Sequence, residues 1–173
     1  MHARMNLEFE QLTTTYIGMI RRIAAAYEAD AHLAEELVQE ILLALWRALS
    51  SFRSEGSPRA FVARIATNLS VTHVKRAMRR SAAGVELSDD LADHAASPEH
   101  EVIAQDERAR LLAAVRSLPL SYRQAVMLTL EGLSGEEVAA VLGISENAVG
   151  VRMWRAKELL RSKMRSQNHH GKK

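Results

Sequence analysis

Between residues 148 and 165 the chain carries Arg152, Arg155, Lys157, Arg161, Lys163 and Arg165 against a single acid, Glu158. A solvated helix surface more usually mixes signs, so cations spaced this way suit a polyanion. A second basic run, Lys75, Arg76, Arg79 and Arg80, lies in the first half. Lys+Arg minus Asp+Glu comes to +3 over residues 1–80, −6 over 81–110, −2 over 111–150 and +7 over 151–173, within a formal net charge of +2. Two basic segments separated by an acidic one point to two polyanion-binding faces, with solvated surface charge as the plainer alternative.

Nothing in the chain points to covalent chemistry. There is no cysteine, no phosphate-cradling glycine loop and no His/Asp/Glu set at ligand spacing, and the 7 histidines are scattered. Neither an enzyme nor a cofactor or metal is expected. No apolar run approaches the roughly 18 residues that span a bilayer, and "MHARMNLEFEQ" lacks the apolar core of a secretory signal. A cytoplasmic protein without a membrane span is expected.

The elements that must position these charges read as helices. The 173 residues, 47% hydrophobic and rich in Ala and Leu with few Gly or Pro, allow two small helical domains. Phe9, Leu12, Tyr16, Ile20, Ile23 and Tyr27 recur every three or four residues, the buried stripe of one helix. Leu33, Leu37, Ile41, Leu45 and Leu49, with Val38, Leu42 and Trp46 beside them, make a second helix apolar over a wide arc. Ser57-Pro58 is a good start for a third, with serine as N-cap and proline in the first turn. Phe61, Ile65 and Leu69 are its expected stripe, and its end is basic.

Residues 81–97, "SAAGVELSDDLADHAAS", lose periodicity and read as a flexible acidic linker. Ser97-Pro98 repeats the serine-proline start, and Val102, Asp106, Ala109, Leu112 and Val115 describe the next helix. Another covers about residues 122–130, with Gly132 as a C-terminal cap. Ser134 and Glu137 then form a capping box, Gly143 ends a short helix, and Ser145 caps a last one whose stripe is Val149, Met153, Ala156 and Leu160. Two helices joined by a short glycine turn form the helix-turn-helix pattern, with small Ala139 and apolar Val149 where the helices meet. A helical hairpin that does not touch DNA is the alternative. For Trp154, packing in a core or interface is expected ahead of base stacking.

Joined together, the motifs resemble a known family. "AEELVQE" at 34–40, "LW" at 45–46, "FRSE" at 52–55, Phe61, "IATN" at 65–68 and "KRAMRR" at 75–80 resemble the second conserved region of bacterial sigma factors. "LP", Arg123, "EGLS", "EEVA", "VLGIS" and "RMWRAKELLR" resemble the fourth. The two-domain layout is similar to the extracytoplasmic-function group. The resemblance implies an all-α fold: a domain over 1–80, the linker 81–97, a helix-turn-helix domain over 98–165 and a flexible basic tail over 166–173.

It also implies roles. Glu36, Gln39, Glu40, Leu43 and Trp46 match the surface that docks on the clamp helices of the RNA polymerase largest subunit, where carboxylates pair with arginines and apolar neighbours exclude water. Without the resemblance, the same residues would read as the solvated side of a core helix. Arg59, Phe61, Arg64, Asn68, Lys75, Arg76, Arg79 and Arg80 match the part that captures the minus-ten element of promoter DNA as it opens, with "FRSEGSP" as a base pocket. Phe61 stands where tryptophan is frequent, and core packing is an equal reading for it. Thr72 stands where aspartate is common, so that position is not carried over. Asn147, Gly150, Val151, Arg152, Arg155 and Lys157 match the helix that reads the minus-thirty-five element. Gly150 and Val151 replace a frequent lysine and serine, leaving two explanations open: close approach to DNA, or a weakened reader. An anti-sigma partner covering these faces is implied as well.

Two rivals remain at this stage. One is a stand-alone helix-turn-helix regulator; the other is a helical adaptor that does not read DNA.

Overall fold

The computed structural model describes residues 2–52, 57–83 and 99–170. Among them it is all-helical, and it divides into two compact units, Met1–Asp93 and His94–Lys173. The loop residues 53–56, residues 84–97 of the expected linker, the expected Ser97-Pro98 helix start and the last three residues lie outside the described residues.

In the first unit α1 (His2–Tyr27), α2 (Ala31–Ala48) and α3 (Pro58–Ala82) pack as a three-helix bundle, with a 3-10 turn, Leu49–Ser51, after α2. Met19, Ile20, Ile23, Ala24, Ala26 and Tyr27 of α1 meet Leu37, Val38, Ile41 and Leu45 of α2 in the core. The chain turns sharply into α2 because Asp30 caps it, its carboxylate accepting from the Leu33 N–H at 2.8 Å. Ser57 caps α3 in the same way, its hydroxyl accepting from the Ala60 N–H at 3.3 Å, with Pro58 in the first turn.

The core face of α3 differs from the expected stripe. Val62, Ala63, Ala66, Thr67 and Ser70 are buried, whereas Phe61, Ile65 and Leu69 are only half-buried at its flank. α3 touches both α1 and α2, so its buried side is the one facing the seam between them. Small residues there let three backbones approach closely.

In the second unit α4 (Glu99–Arg116), α5 (Leu120–Leu130), α6 (Gly135–Leu142) and α7 (Glu146–His170) follow in order. Val115, Leu118, Ala125, Val126, Met127, Leu128, Leu133, Val138, Ala139, Val149 and Ala156 form the core. The expected α4 stripe holds at Val115 and half-buried Leu112, but Ala109 is exposed; Val102 and Asp106 have no described side-chain environment. Arg123 is buried, and its guanidinium donates to the backbone carbonyls of Arg116 and Leu118, satisfying the C-terminal end of α4. α7 continues to His170, past the expected tail boundary at residue 166, because no Gly or Pro interrupts it after Gly150 until Gly171.

No helix among the described residues is long and apolar enough to cross a membrane.

Candidate nucleic-acid interface

Three surfaces carry the residues singled out by sequence. On α2, Glu36, Gln39, Glu40, Leu43 and Trp46 recur every three or four residues and are all exposed, on the side away from buried Leu37, Ile41 and Leu45. Leu43 and Trp46 are 48% and 42% exposed, two large apolar side chains about one turn apart and beside two carboxylates. Glu36 pairs with His32 at 3.5 Å, and Gln39 donates to Glu35 at 3.4 Å. Both are open, weak contacts that a protein partner can displace at little cost.

The second surface is α3. Arg64, Asn68, Lys75 and Arg79 are exposed, and their spacings of four, seven and four keep them on one line opposite the buried face. Arg76 and Arg80 are exposed too, each next in sequence to a member of the line and so about 100° round the helix from it. Arg59, five residues before Arg64, is exposed but leaves it, so the structure does not gather Arg59 with the others. Midway along α3, His73 Nε2 lies 2.6 Å from Glu28 Oε2, with both side chains only 17% exposed. The other Glu28 oxygen accepts from the Asp30 N–H at 2.9 Å. One carboxylate thus ties α3 to the corner between α1 and α2.

At the start of α3 the rings of Phe52 and Phe61 lie 4.5 Å apart. Phe52 and Pro58, with Leu49, close one side of a groove of about 400 Å³; Glu8, Gln11, Leu12, Thr15 and Tyr16 of α1 close the other. It offers aromatic and polar walls together, as an unstacked base requires. Sequence reasoning assigned a pocket to the 52–58 loop but missed the α1 wall. Its signal was faint: Leu12 and Tyr16 read only as core positions, yet both are half-buried.

The third surface is the helix-turn-helix. Ser134 accepts from the Glu137 N–H at 3.1 Å while the Glu137 carboxylate accepts from the Ser134 N–H at 2.9 Å, so the capping box is formed in both directions. Gly143 takes a left-handed conformation (φ 66°) that permits the turn, and the Ile144 N–H donates back to the Ala139 carbonyl at 3.1 Å. Ser145 Oγ then accepts from the Ala148 N–H at 3.2 Å, starting α7. Ala139 and Val149 are buried where α6 and α7 meet.

These local bonds fix which side of α7 faces out. Asn147, Gly150, Val151, Arg155 and Lys157 are exposed; Arg152 is half-buried at the flank, and so less available than Arg155. Trp154 is 56% exposed and so lies outside the core, which leaves the interface half of the expectation standing; it shares the outward line of Asn147 and Val151, because α7 turns Val149 and Ala156 inward instead. The Arg155 guanidinium sits 4.9 Å from the centre of the Trp154 ring, a cation–π contact. Among the described residues no group of His, Cys, Asp or Glu is arranged to hold a metal ion.

Two known family regions match the chain, one in each half. The family described as Sigma-70 region 2 matches residues 12–80, and Sigma-70, region 4, matches residues 108–160. The ECF RNA polymerase sigma factor SigE of Mycolicibacterium smegmatis is 33% identical over 156 residues, which cover 88% of this chain and 60% of that protein. RNA polymerase sigma factor CnrH of Cupriavidus metallidurans is 30% identical over 160 residues, covering 88% of this chain and 84% of that protein. In fold, the chain is similar to RpoE solved with the anti-sigma factor NepR from Bartonella quintana, with a TM-score of 0.72 at 23% identity over 91% of this chain and 97% of that one. CnrH solved with the cytosolic domain of CnrY gives 0.69 at 24% identity over 91% and 88%.

Proposed function

The chain belongs to the extracytoplasmic-function (ECF) group of sigma-70 factors, which bind core RNA polymerase and direct promoter-specific initiation, and from that premise we propose a division of labour among its three surfaces. The α2 face, Glu36, Gln39, Glu40, Leu43 and Trp46, docks on the clamp helices of the polymerase largest subunit. Its supporting observation is the exposed apolar pair Leu43 and Trp46 beside carboxylates held only by open contacts. Aromatic and aliphatic anchors ringed by charge are what a protein interface uses.

The α3 line, Arg64, Asn68, Lys75 and Arg79 with Arg76 and Arg80, follows the single strand of the opened minus-ten element. Cations meet its phosphates, and an unstacked base enters the groove bounded by Phe52, Tyr16 and Thr15. Phe61 braces Phe52 from the other side. Arg59 contributes at most to the backbone path upstream of this line.

The α7 face reads the minus-thirty-five element as duplex DNA, with Asn147, Gly150 and Val151 toward base edges and Arg155, Lys157 and Arg152 toward phosphates. The protein works in the cytoplasm, makes no bond itself and leaves catalysis to the polymerase. Two relatives in fold were solved with partners, RpoE with the anti-sigma factor NepR and CnrH with a domain of CnrY. An anti-sigma partner that covers the exposed α2 face is the corresponding control here.

A single observation carries this reading over a stand-alone regulator. The α2 face has no role in a regulator that acts by occupying DNA, yet it presents Leu43 and Trp46 to solvent. Sequencing the transcripts made after pulsed overexpression tests the reading. Start sites sharing two upstream elements at fixed separation are expected; a single palindromic element near the responding genes would reject it.

A further inference from the structure

α7 opens with an unusually lean surface. Ser145 Oγ caps it, so residues 147–151 form its first turns, the part of the second helix of a helix-turn-helix that meets base edges. Asn147 and Val151 lie one turn apart on the outward side, and Val151 is 51% exposed. Between them in sequence stands Gly150. A Cβ built there would meet nothing within 4 Å, so no packing in the described structure asks for glycine. Its φ is not in the left-handed region either, since Gly132 and Gly143 alone among the described residues are there. Glycine is costlier than alanine inside a helix, and here the fold gains nothing from it.

Resting on the assignment of α7 to the duplex element, we propose that the Gly150–Val151 step reads the C5-methyl group of a thymine in the major groove. A missing side chain at 150 lets the α7 backbone approach a base edge, and the Val151 methyls are then the atoms presented. Among the major-groove features of the four bases, the thymine methyl is the apolar one; the others are donors or acceptors. Valine against any of those would strip water from a polar group and return no hydrogen bond, which penalises the wrong base. Asn147, one turn earlier, brings an amide suited to the N6/N7 edge of adenine, so the two residues together favour an A·T-containing step. Arg155 and Lys157, exposed on either side of the outward line, supply the phosphate contacts that set the depth of the helix.

Uracil interference tests this directly. Promoter DNA selected by the holoenzyme, assembled from the full chain and core polymerase, is prepared with thymine randomly replaced by uracil, which differs by the methyl alone. Bound and free fractions are then sequenced. One thymine in the minus-thirty-five region is expected to show uracil depleted about fourfold in the bound fraction, the value of one buried methyl. The same position should be indifferent with Val151→Ser and depleted again with Val151→Ile. Promoter-specific retention without any position whose depletion depends on residue 151 overturns the inference while leaving the sigma-factor assignment intact. Failure of the holoenzyme to retain any promoter above core polymerase alone would overturn both.

Discussion

The rings of Phe52, before α3, and Phe61, in its first turn, lie 4.5 Å apart and are tilted by 41°. Phe52 also lines the 400 Å³ groove, so Phe61 fixes one groove wall without itself lining it. Phe52→Ala should therefore slow promoter opening, because stacking on an aromatic ring is worth about 1–3 kcal/mol per base. Phe61→Ala should do so more mildly. Fluorescence of a base analogue in the minus-ten element reports opening. Both variants should keep wild-type affinity for core polymerase, and equal loss of opening and core binding would instead mean a disturbed bundle.

The α2 face predicts a different failure. Glu36→Lys with Glu40→Lys should weaken core polymerase binding at least about tenfold, equivalent to ~1.4 kcal/mol. Trp46→Ala should cost about 2 kcal/mol, as expected of an aromatic anchor at an interface. Titration of labelled protein with core polymerase measures both, and unchanged affinity in the charge-reversed variant rejects the assignment of this face.

The α3 line predicts salt dependence. Replacing Lys75 and Arg79 by alanine removes two exposed cations from one line. The slope of log K against log salt for holoenzyme on single-stranded minus-ten DNA should become shallower by about 0.7 per lost phosphate contact. Arg59→Ala, off the line, should change that slope less. An equal effect at Arg59 would show that the strand follows another path.

How much of this was legible in the sequence differs from helix to helix. The capping signals at Ser57, Ser134 and Ser145 located helix starts correctly, because a cap is a local bond between residues close in sequence. Asp30, which caps α2 by the same local bond, went unnoticed. The face of α3 was misjudged by one residue: Phe61, Ile65 and Leu69 are its larger apolar residues, but tertiary contact with two helices selected the smaller set at 62, 63, 66, 67 and 70. Hydrophobicity alone could not anticipate a face chosen for close approach. On α7, sequence left Trp154 between a core and an interface, and the register imposed by Ser145 and Val149 turns it outward, away from the core. The α1 wall of the groove was hidden for another reason, since it brings together residues about forty positions apart in the chain.

Gly150 offers a stability test separate from function. Since a Cβ there meets nothing within 4 Å, Gly150→Ala should raise the free energy of unfolding by roughly 0.5–1 kcal/mol, measurable by urea titration. Gly150→Lys should bind duplex promoter DNA more tightly but discriminate less against scrambled sequence. Destabilisation by alanine would show that the glycine serves the fold after all.

Thr67 gives a second such test. It is fully buried against the bundle, and its hydroxyl has no hydrogen-bond partner among the described residues. Thr67→Val removes that polar atom at nearly constant shape and should stabilise the unit by about 1 kcal/mol. A loss of stability in urea titration would contradict the packing described for α3.

On the proposed reading, this chain redirects RNA polymerase to promoters of its own. Run-off transcription with purified core polymerase, on templates recovered from the overexpression transcripts, tests it most directly. A discrete transcript that requires the protein, disappears with the Glu36→Lys/Glu40→Lys variant and is lost when either promoter element is scrambled is the predicted result. Transcription identical to that of core polymerase alone, with the protein still bound to its DNA site, would contradict it.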